Sequence, residues 1–198
     1  MDEFSDAELS SKVLTSPDTP NELSGIAALN KLHSDAENGV PEAQVELALV
    51  YADGSGQHDD ELSRIWLHKA AEQGDVRAQC YLAWLYSIRL KDEGLSFYWF
   101  LRAAEQGDAD AQFNVGVCYE EGVGVNQDYA LALEWYGKAA GQNQDGAIFR
   151  LGRMYENGLG VSLDRGMAAH WYRKAAQLGH AQAQDRLQIL EGDFHPYG

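Results

Sequence analysis

The chain has 198 residues, of which 45% are hydrophobic, as in an ordinary folded protein of one domain or two small ones. Its formal net charge of −16 is concentrated at one end: residues 1–62 contain 14 acidic and two basic residues, whereas residues 63–198 contain 17 and 13. A negative field repels the phosphates of nucleic acids and anionic lipids, so we expect neither as a partner. Solubility explains the total charge equally well, but the asymmetry favours a protein partner with a basic surface.

Two cysteines, Cys80 and Cys118, are too few for a disulfide framework and are predicted to be free, mostly buried thiols in a reducing compartment. The N-terminal sequence MDEFSDAELSSKV is acidic and lacks the apolar segment of a signal peptide, and no apolar run has the length of a membrane span. Provided that no leader precedes this chain, these features predict a cytoplasmic protein.

In chain order, the first predicted region is an acidic N-terminal cap at residues 1–39. Ser5 and Glu8 have the spacing of a capping box and predict a short helix, which Pro17 and Pro20 then interrupt. Residues 21–38 align with the second helix of the helix pairs that follow, although Lys31 stands where those helices have tryptophan.

The rest of the chain is periodic. A glycine or asparagine recurs at separations of 35, 33, 36 and 36 residues, and each of the last four follows a tryptophan by eight residues and an aspartate by 15: Gly39, Gly74, Gly107, Asn143 and Gly179; Trp66, Trp99, Trp135 and Trp171; Asp59, Asp92, Asp128 and Asp164. Such a period is typical of stacked two-helix units. We predict units one to four at residues 40–74, 75–107, 108–143 and 144–179, and a C-terminal capping helix and tail at 180–198.

Local chemistry supports two helices in each unit. In unit three, Asp108 is predicted to cap the first helix, Gly122 and Gly124 end it, and Asp128 caps the second helix. Asn143 replaces glycine at the closing turn because asparagine tolerates the left-handed conformation required there. The tryptophans are predicted to lie in the core between units, beside small residues that let the helices approach closely: Ala48, Ala83, Gly116 and Gly152.

This pattern resembles the Sel1-like repeats, a branch of the tetratricopeptide-like solenoids. The matching phrases are GVGV at 122–125 and GLGV at 158–161, followed by WYGKAA at 135–140 and WYRKAA at 171–176. The resemblance covers residues 36–190 and implies an all-α, right-handed α/α superhelical solenoid of about four repeats that serves as a scaffold for protein–protein interaction. Unit two has residues 87–91 in place of the GxG loop, which predicts a tighter connection and a local irregularity.

No catalytic constellation, cofactor motif or metal-ligand spacing is found, so the chain is predicted not to be an enzyme and to need no cofactor or metal. Asp59 beside His58 is interpreted as a helix cap rather than part of a metal cluster. The GxG loops lack the lysine and the strand–turn–helix setting of a phosphate loop. His68 and His170 are predicted to lie on the surface.

First helices are expected to line the concave face of such a solenoid. Their two non-core positions form a row that runs from acidic through aromatic and neutral to basic: Glu46, Leu49, Tyr81, Trp84, Asn114, Val117, Arg150 and Arg153. Trp84 with Tyr81 has the composition of an interface hot spot; alternatively, Trp84 fills space left by the short loop of unit two. For Arg150 and Arg153 the alternative, a solvated helix face, is the favoured interpretation. The resemblance implies a bond from Asn114 to a peptide backbone.

Two functions remain open at this point. An adaptor would hold an extended or helical partner segment in the concave groove, anchored by Tyr81 and Trp84, with Arg150 and Arg153 meeting the acidic end of that segment. Alternatively, an acidic inhibitor, such as an immunity protein, would mask the basic active surface of a toxin or effector with an acidic patch: Asp35, Glu37, Glu42, Asp53, Asp59, Asp60 and Glu61. An enzyme is the third and least favoured class.

Overall fold

The computed structural model describes residues 20–52 and 57–192. These residues contain no strand and form ten α-helices and one π-helical turn, Tyr86–Leu90: α1 (Pro20–Glu37), α2 (Pro41–Ala52), α3 (Gln57–Glu72), α4 (Val76–Leu85), α5 (Glu93–Glu105), α6 (Ala109–Glu121), α7 (Tyr129–Gly141), α8 (Asp145–Asn157), α9 (Arg165–Gln177) and α10 (Ala181–Gly192). Each helix packs on the next, and the first helices α6 and α8 of adjacent units also touch. The predicted all-α superhelical solenoid is confirmed.

Four of the predicted aspartate caps are observed. Asp92, Asp108 and Asp164 each accept a hydrogen bond from a backbone N–H of the first turn, and Asp128 accepts two. Asp59 is the exception, because α3 begins at Gln57 and Asp59 therefore lies inside the helix. The predicted cap is wrong at this position: Gln57 and the following histidine are compatible with helix, and no Pro or Gly separates them from Asp59.

The turns between units confirm the role predicted for Asn143. Its φ is 64°, in the left-handed region, and the glycines at the equivalent turns have φ between 86° and 97°. Unit two departs from this regularity where the sequence indicated. Its first helix continues into the π-helical turn, which ends at Lys91 with a φ of 56°.

A ladder of glutamine amides ties each of the first three units to the carbonyls of the preceding one. In unit two, the buried Gln79 donates to the carbonyl of Ala71, and Gln106 donates to the side-chain oxygen of Gln79 at 2.8 Å. Units one and three repeat this arrangement with the pairs Gln44–Gln73 and Gln112–Gln142. Since buried backbone carbonyls need donors, the ladder explains why the unit carries both glutamines.

The tryptophan row lies between units as predicted, but its burial is uneven. Trp66 and Trp99 are buried, whereas Trp135 and Trp171 are only half-buried. Lys138 lies over the Trp135 ring, 3.8 Å from its centroid. The small residues beside the row have a tight fit: a Cβ added to Gly116 would stand 2.6 Å from the ring of Tyr136.

The glycine loops of units three and four hold each unit to the one before. A Cβ added to Gly124 would lie 2.1 Å from the carbonyl oxygen of Glu93 at the start of α5. Gly160 approaches the carbonyl of Tyr129 in the same way. Unit two has no such loop, and Arg89 of its π-helical turn instead pairs at 2.7 Å with Asp60, the residue equivalent to Glu93.

His68 is half-buried rather than at the surface, which corrects the sequence prediction. Its Nε2 lies 2.8 Å from the hydroxyl of Tyr86, and His33 and Tyr51 form the equivalent pair one unit earlier at 3.0 Å. The sequence pattern concealed this because the same position is Leu101 in the next unit. Burial, with a smaller contribution from the charge of Arg64, lowers the pKa of His68 below its usual value.

We therefore expect stability to fall in mild acid through His68. Because the unfolded chain binds a proton to this residue more readily than the folded chain, the free energy of unfolding decreases as the pH falls through about 6.5. Urea titrations at pH 7.5 and 5.5 should show a smaller loss for His68→Leu than for the unaltered protein. An equal loss in both proteins would contradict the assignment.

Candidate partner-binding groove

An open groove of about 240 Å³ lies where units two and three meet. It brings together three of the eight residues predicted for the partner site, Tyr81, Trp84 and Asn114, and we call it the Trp84 groove. Its lining comes from α4, from α5 and from α6 with its N-cap: Arg77, Cys80, Tyr81, Trp84, Phe100, Asp108, Asp110, Ala111 and Asn114.

Two half-exposed aromatic side chains form one wall of the Trp84 groove. Tyr81 and Trp84 are 39% and 45% exposed. The Trp84 indole packs edge-on against Phe100, with ring centroids 5.2 Å apart. This contact holds the indole in place without burying it, so a rigid apolar surface faces the groove.

The other wall carries acidic side chains. Asp108 caps α6 with one carboxylate oxygen, which accepts from the N–H of Ala111 at 2.7 Å, and Asp110 accepts from Gln144 at 3.3 Å. Burial and then the charges of Asp108 and Asp110 raise the pKa of the Cys80 thiol to about 12. Two carboxylates against the single guanidinium of Arg77 make the lining acidic on balance.

Both cysteines should therefore react slowly with thiol reagents in the folded protein. Burial raises the pKa of Cys118 to about 11, so at pH 8 neither residue holds much of the reactive thiolate. We expect Ellman's reagent to react with the native protein at least ~100-fold more slowly than with the urea-unfolded chain. A native-state rate near that of a free thiol would show that the raised pKa values are wrong.

The other predicted residues lie elsewhere along the solenoid. Glu46 and Leu49 line a separate, shallow depression on α2, and Val117 packs against the C-terminal part of the core. Within the Trp84 groove, by contrast, Asn114 donates its side-chain amide to the carbonyl of Asp110 at 2.8 Å, one turn earlier in its own helix. Arg153 is half-buried.

Arg150 is engaged within the protein. Its guanidinium lies 3.0 Å from the carboxylate of the buried Glu120 and 3.6 Å from that of Glu121. Glu120 also accepts a hydrogen bond from the hydroxyl of Tyr136 at 2.6 Å. Burial and this carboxylate raise the pKa of Tyr136 well above its usual value.

The same arrangement recurs one unit later, where Glu156 is bound by Tyr172 at 2.6 Å and Arg186 at 2.5 Å. Burial alone would raise the pKa of Glu156, but these two donors lower it on balance. We call each set a Glu–Tyr–Arg clasp. The clasps join the C-terminal units across their interfaces.

The acidic residues predicted as a patch divide into two groups. Asp60 pairs with Arg89 and Glu61 with Arg64, so part of their charge is neutralised. Asp35, Glu37 and Glu42 form no ion pair within residues 20–52 and 57–192. Asp53 and the side chain of Asp59 lie outside the described part of the chain.

Sequence reasoning missed six of the nine groove residues: Arg77, Cys80, Phe100, Asp108, Asp110 and Ala111. Asp108 was interpreted only as a helix cap and Cys80 only as a buried thiol. The available signal was the difference between units: unit two has cysteine where units three and four have Phe113 and Phe149. Within the described residues, no three His, Cys, Asp or Glu side chains converge as metal ligands, and no helix combines the length and apolar character needed to cross a bilayer.

Comparison with solved structures places this fold among bacterial repeat proteins. A protective antigen of uropathogenic Escherichia coli is 32% identical, with a TM-score of 0.75 over 86% of this chain and 38% of that one. A Sel1 repeat protein from Oxalobacter formigenes is 37% identical, with a TM-score of 0.69 over 80% of this chain and 47% of that one. The chain thus spans less than half the length of either. An immunity protein from Pseudomonas aeruginosa, 22% identical with a TM-score of 0.52 over 86% of this chain and 65% of that one, shares the fold.

No curated protein matches the chain significantly. The family model described as Sel1 repeat matches residues 41–75, 76–108, 109–144 and 146–180. The matched segments cover more than half of the sequence and coincide with the stacked helix pairs that surround the Trp84 groove. The chain therefore belongs to the Sel1 repeat family, a typically non-enzymatic fold that generally mediates protein–protein interaction.

Proposed function

We propose that this chain is a non-enzymatic binding module that captures a segment of a protein partner in the Trp84 groove. The observation that carries the proposal is the half-exposed pair of Tyr81 and Trp84 on the wall of an open groove between two units. Tryptophan and tyrosine dominate the energetics of protein interfaces, because their large side chains desolvate well at a low cost in conformational entropy.

The immobilised indole supports this role. Since Trp84 already packs on Phe100, little conformational entropy of the Trp84 side chain would be lost when a partner binds. Asn114 keeps its side-chain oxygen free of any hydrogen bond to the described residues and lines the groove beside Tyr81. It is thereby placed to accept a hydrogen bond from the backbone of a bound segment.

Replacing Trp84 with alanine should weaken partner binding by roughly 30-fold or more, the loss expected for an interface hot spot. The tagged chain would first recover partners from a lysate of its source cells for identification by mass spectrometry. Affinities would then be measured with the purified partner. Tyr98→Ala is the matched control, because Tyr98 is 44% exposed on α5 but does not line the groove.

The outcomes separate the groove from other surfaces. Loss of affinity in Trp84→Ala with retained affinity in Tyr98→Ala supports the proposal. Equal affinity of Trp84→Ala and the unaltered protein, with both variants folded by circular dichroism, would remove the groove from consideration.

The acidic inhibitor is the second candidate, and one observation favours it. Asp35, Glu37 and Glu42 leave unneutralised negative charge on α1 and α2, which would attract the basic surface of a toxin or effector in the cytoplasm. In that case the association rate should fall steeply with salt, and the triple variant Asp35→Asn, Glu37→Gln, Glu42→Gln should lose affinity while Trp84→Ala does not. A salt-independent rate would count against this candidate.

A further inference from the structure

The Trp84 groove is open because unit two carries a small side chain where later units carry phenylalanine. Cys80, Phe113 and Phe149 occupy equivalent positions in α4, α6 and α8, at separations of 33 and 36 residues. At the two later interfaces between units, the phenyl ring occupies the corresponding space. The groove therefore corresponds to a slot for a phenyl ring that the chain itself leaves unfilled.

The contacts of the two phenylalanines define what such a slot accommodates. The Phe113 ring lies 5.9 Å from the Tyr136 ring and 3.3 Å from the point where a Cβ of Gly146 would stand. The Phe149 ring stacks on His180 at 4.2 Å and lies 5.3 Å from the Tyr172 ring.

The residues of the Trp84 groove correspond to these contacts one by one. Phe100 is the equivalent of Tyr136 and Tyr172, Asp110 is the equivalent of Gly146, and Asp108 is the equivalent of His180. All three line the groove. A guest ring would thus meet the same kind of aromatic wall that the chain's own rings meet.

A second difference between the repeats, at Asn114, also leaves the groove open. Asn114 is equivalent to Arg150 and Arg186, the long cationic side chains of the two Glu–Tyr–Arg clasps. Unit two has Ser87 in place of the clasp glutamate, so no clasp forms there. The acidic groups of the Trp84 groove are instead Asp108 and Asp110, and their charges contribute to the raised pKa of the Cys80 thiol.

We propose that the Trp84 groove binds a partner segment that presents a phenylalanine-like aromatic side chain next to an arginine or lysine. The guest ring would take the place of the missing phenyl group beside Phe100 and Trp84. The guest cation would pair with Asp108 and Asp110, as the acidic lining requires. This inference rests on the proposed function and names the chemistry of the segment that the groove selects.

The decisive variant fills the slot with the chain's own side chain. Cys80→Phe copies units three and four, and Phe149 shows that the ring is tolerated where the facing position is Gln182 rather than glycine. Cys80→Ser is the matched control, since it leaves the slot open. Asn114→Arg introduces the arginine that later units carry at the equivalent position and needs no additional core volume. It is the variant to use if Cys80→Phe fails to fold.

The probe is a displayed library of random heptapeptides selected on the immobilised protein, after depletion on the support alone. We expect the selected sequences to share an aromatic residue adjacent to Arg or Lys. Synthetic fluorescein-labelled copies should bind the unaltered protein and Cys80→Ser alike, and the slot-filling variants about tenfold or more weakly. Urea titration of each variant would confirm that it is folded.

Each outcome decides the question. Selected peptides that require Trp84 but contain no aromatic–basic pair, or that bind Cys80→Phe as well as the unaltered protein, overturn the inference and leave the proposed function standing. A selection that yields no peptide dependent on Trp84 overturns both.

Discussion

Replacing Gly124 with alanine should lower the free energy of unfolding by about 3–5 kcal/mol, because two costs combine at this residue. Its φ of 70° disfavours any side chain, and the added Cβ would stand 2.1 Å from the carbonyl oxygen of Glu93, which is rigid backbone at the start of α5. The loop of unit three would have to lift off unit two. Thermal unfolding should show a decrease in melting temperature of roughly 10 °C or more.

Gly137→Ala is the control for this change. Gly137 lies within α7, has no left-handed φ, and a Cβ there would meet no atom within 4 Å. Alanine should stabilise the helix by about 0.5–1 kcal/mol. Similar melting temperatures for the two variants would mean that the loop does not hold the units together.

Replacing Arg150 with alanine should cost about 3 kcal/mol, far more than an ordinary surface ion pair. The change would leave the carboxylate of Glu120, only 8% exposed, with Tyr136 as its remaining close donor. Chemical denaturation at pH 7 measures the loss. Arg173→Ala, which breaks a pair whose two side chains are more than half exposed, should cost at most about 0.5 kcal/mol.

A second substitution identifies the cause of that loss. Adding Glu120→Gln to Arg150→Ala removes the unpaired charge while keeping a side chain that can still bind Tyr136, so part of the stability should return. If the double variant is less stable than Arg150→Ala alone, the cost arises from lost packing of the arginine stem and the account of the clasp is wrong.

The fold could be predicted from sequence because its determinants are local and repeated. The aspartate caps, the glycine turns and Asn143 each act within a few residues of their own position, and repetition made them visible. Asp59 was mispredicted because the pattern of the other units was transferred to a segment whose own residues, Gln57 and His58, extend the helix. The half-burial of His68 depends on Tyr86, 18 residues away, and no local signal reveals that contact.

The candidate site was predicted in part for the same reason. Tyr81 and Trp84 stood out because their residue types are unusual on a helix surface, and they do line a groove. Arg150 was assigned to the same row because its helix position is equivalent, yet its length lets it reach Glu120 across the interface between units. Comparing Glu120 with Glu156 and Arg150 with Arg186 along the repeat would have indicated this pairing. The acidic wall of the groove could not be predicted in this way, because only the three-dimensional fold places its side chains beside Tyr81 and Trp84.

The glutamine ladder bears on how such a chain can gain or lose material. Each of the first three units carries both members of its own pair, and outside their own unit these glutamines donate only to backbone carbonyls of the segment before, which any sequence supplies. In unit four both members are apolar, Ile148 and Leu178, and the side chain of Lys174 takes over the carbonyl of Ala140 at 3.4 Å. A recombination event that moves a whole unit therefore keeps both glutamines of a pair together, and their side-chain amides retain hydrogen-bond partners. An event that splits a unit separates the pair and leaves a buried amide without its partner. Lineages should vary in repeat number by complete units. Within a unit, the two positions of the glutamine pair should be either both glutamine or both apolar.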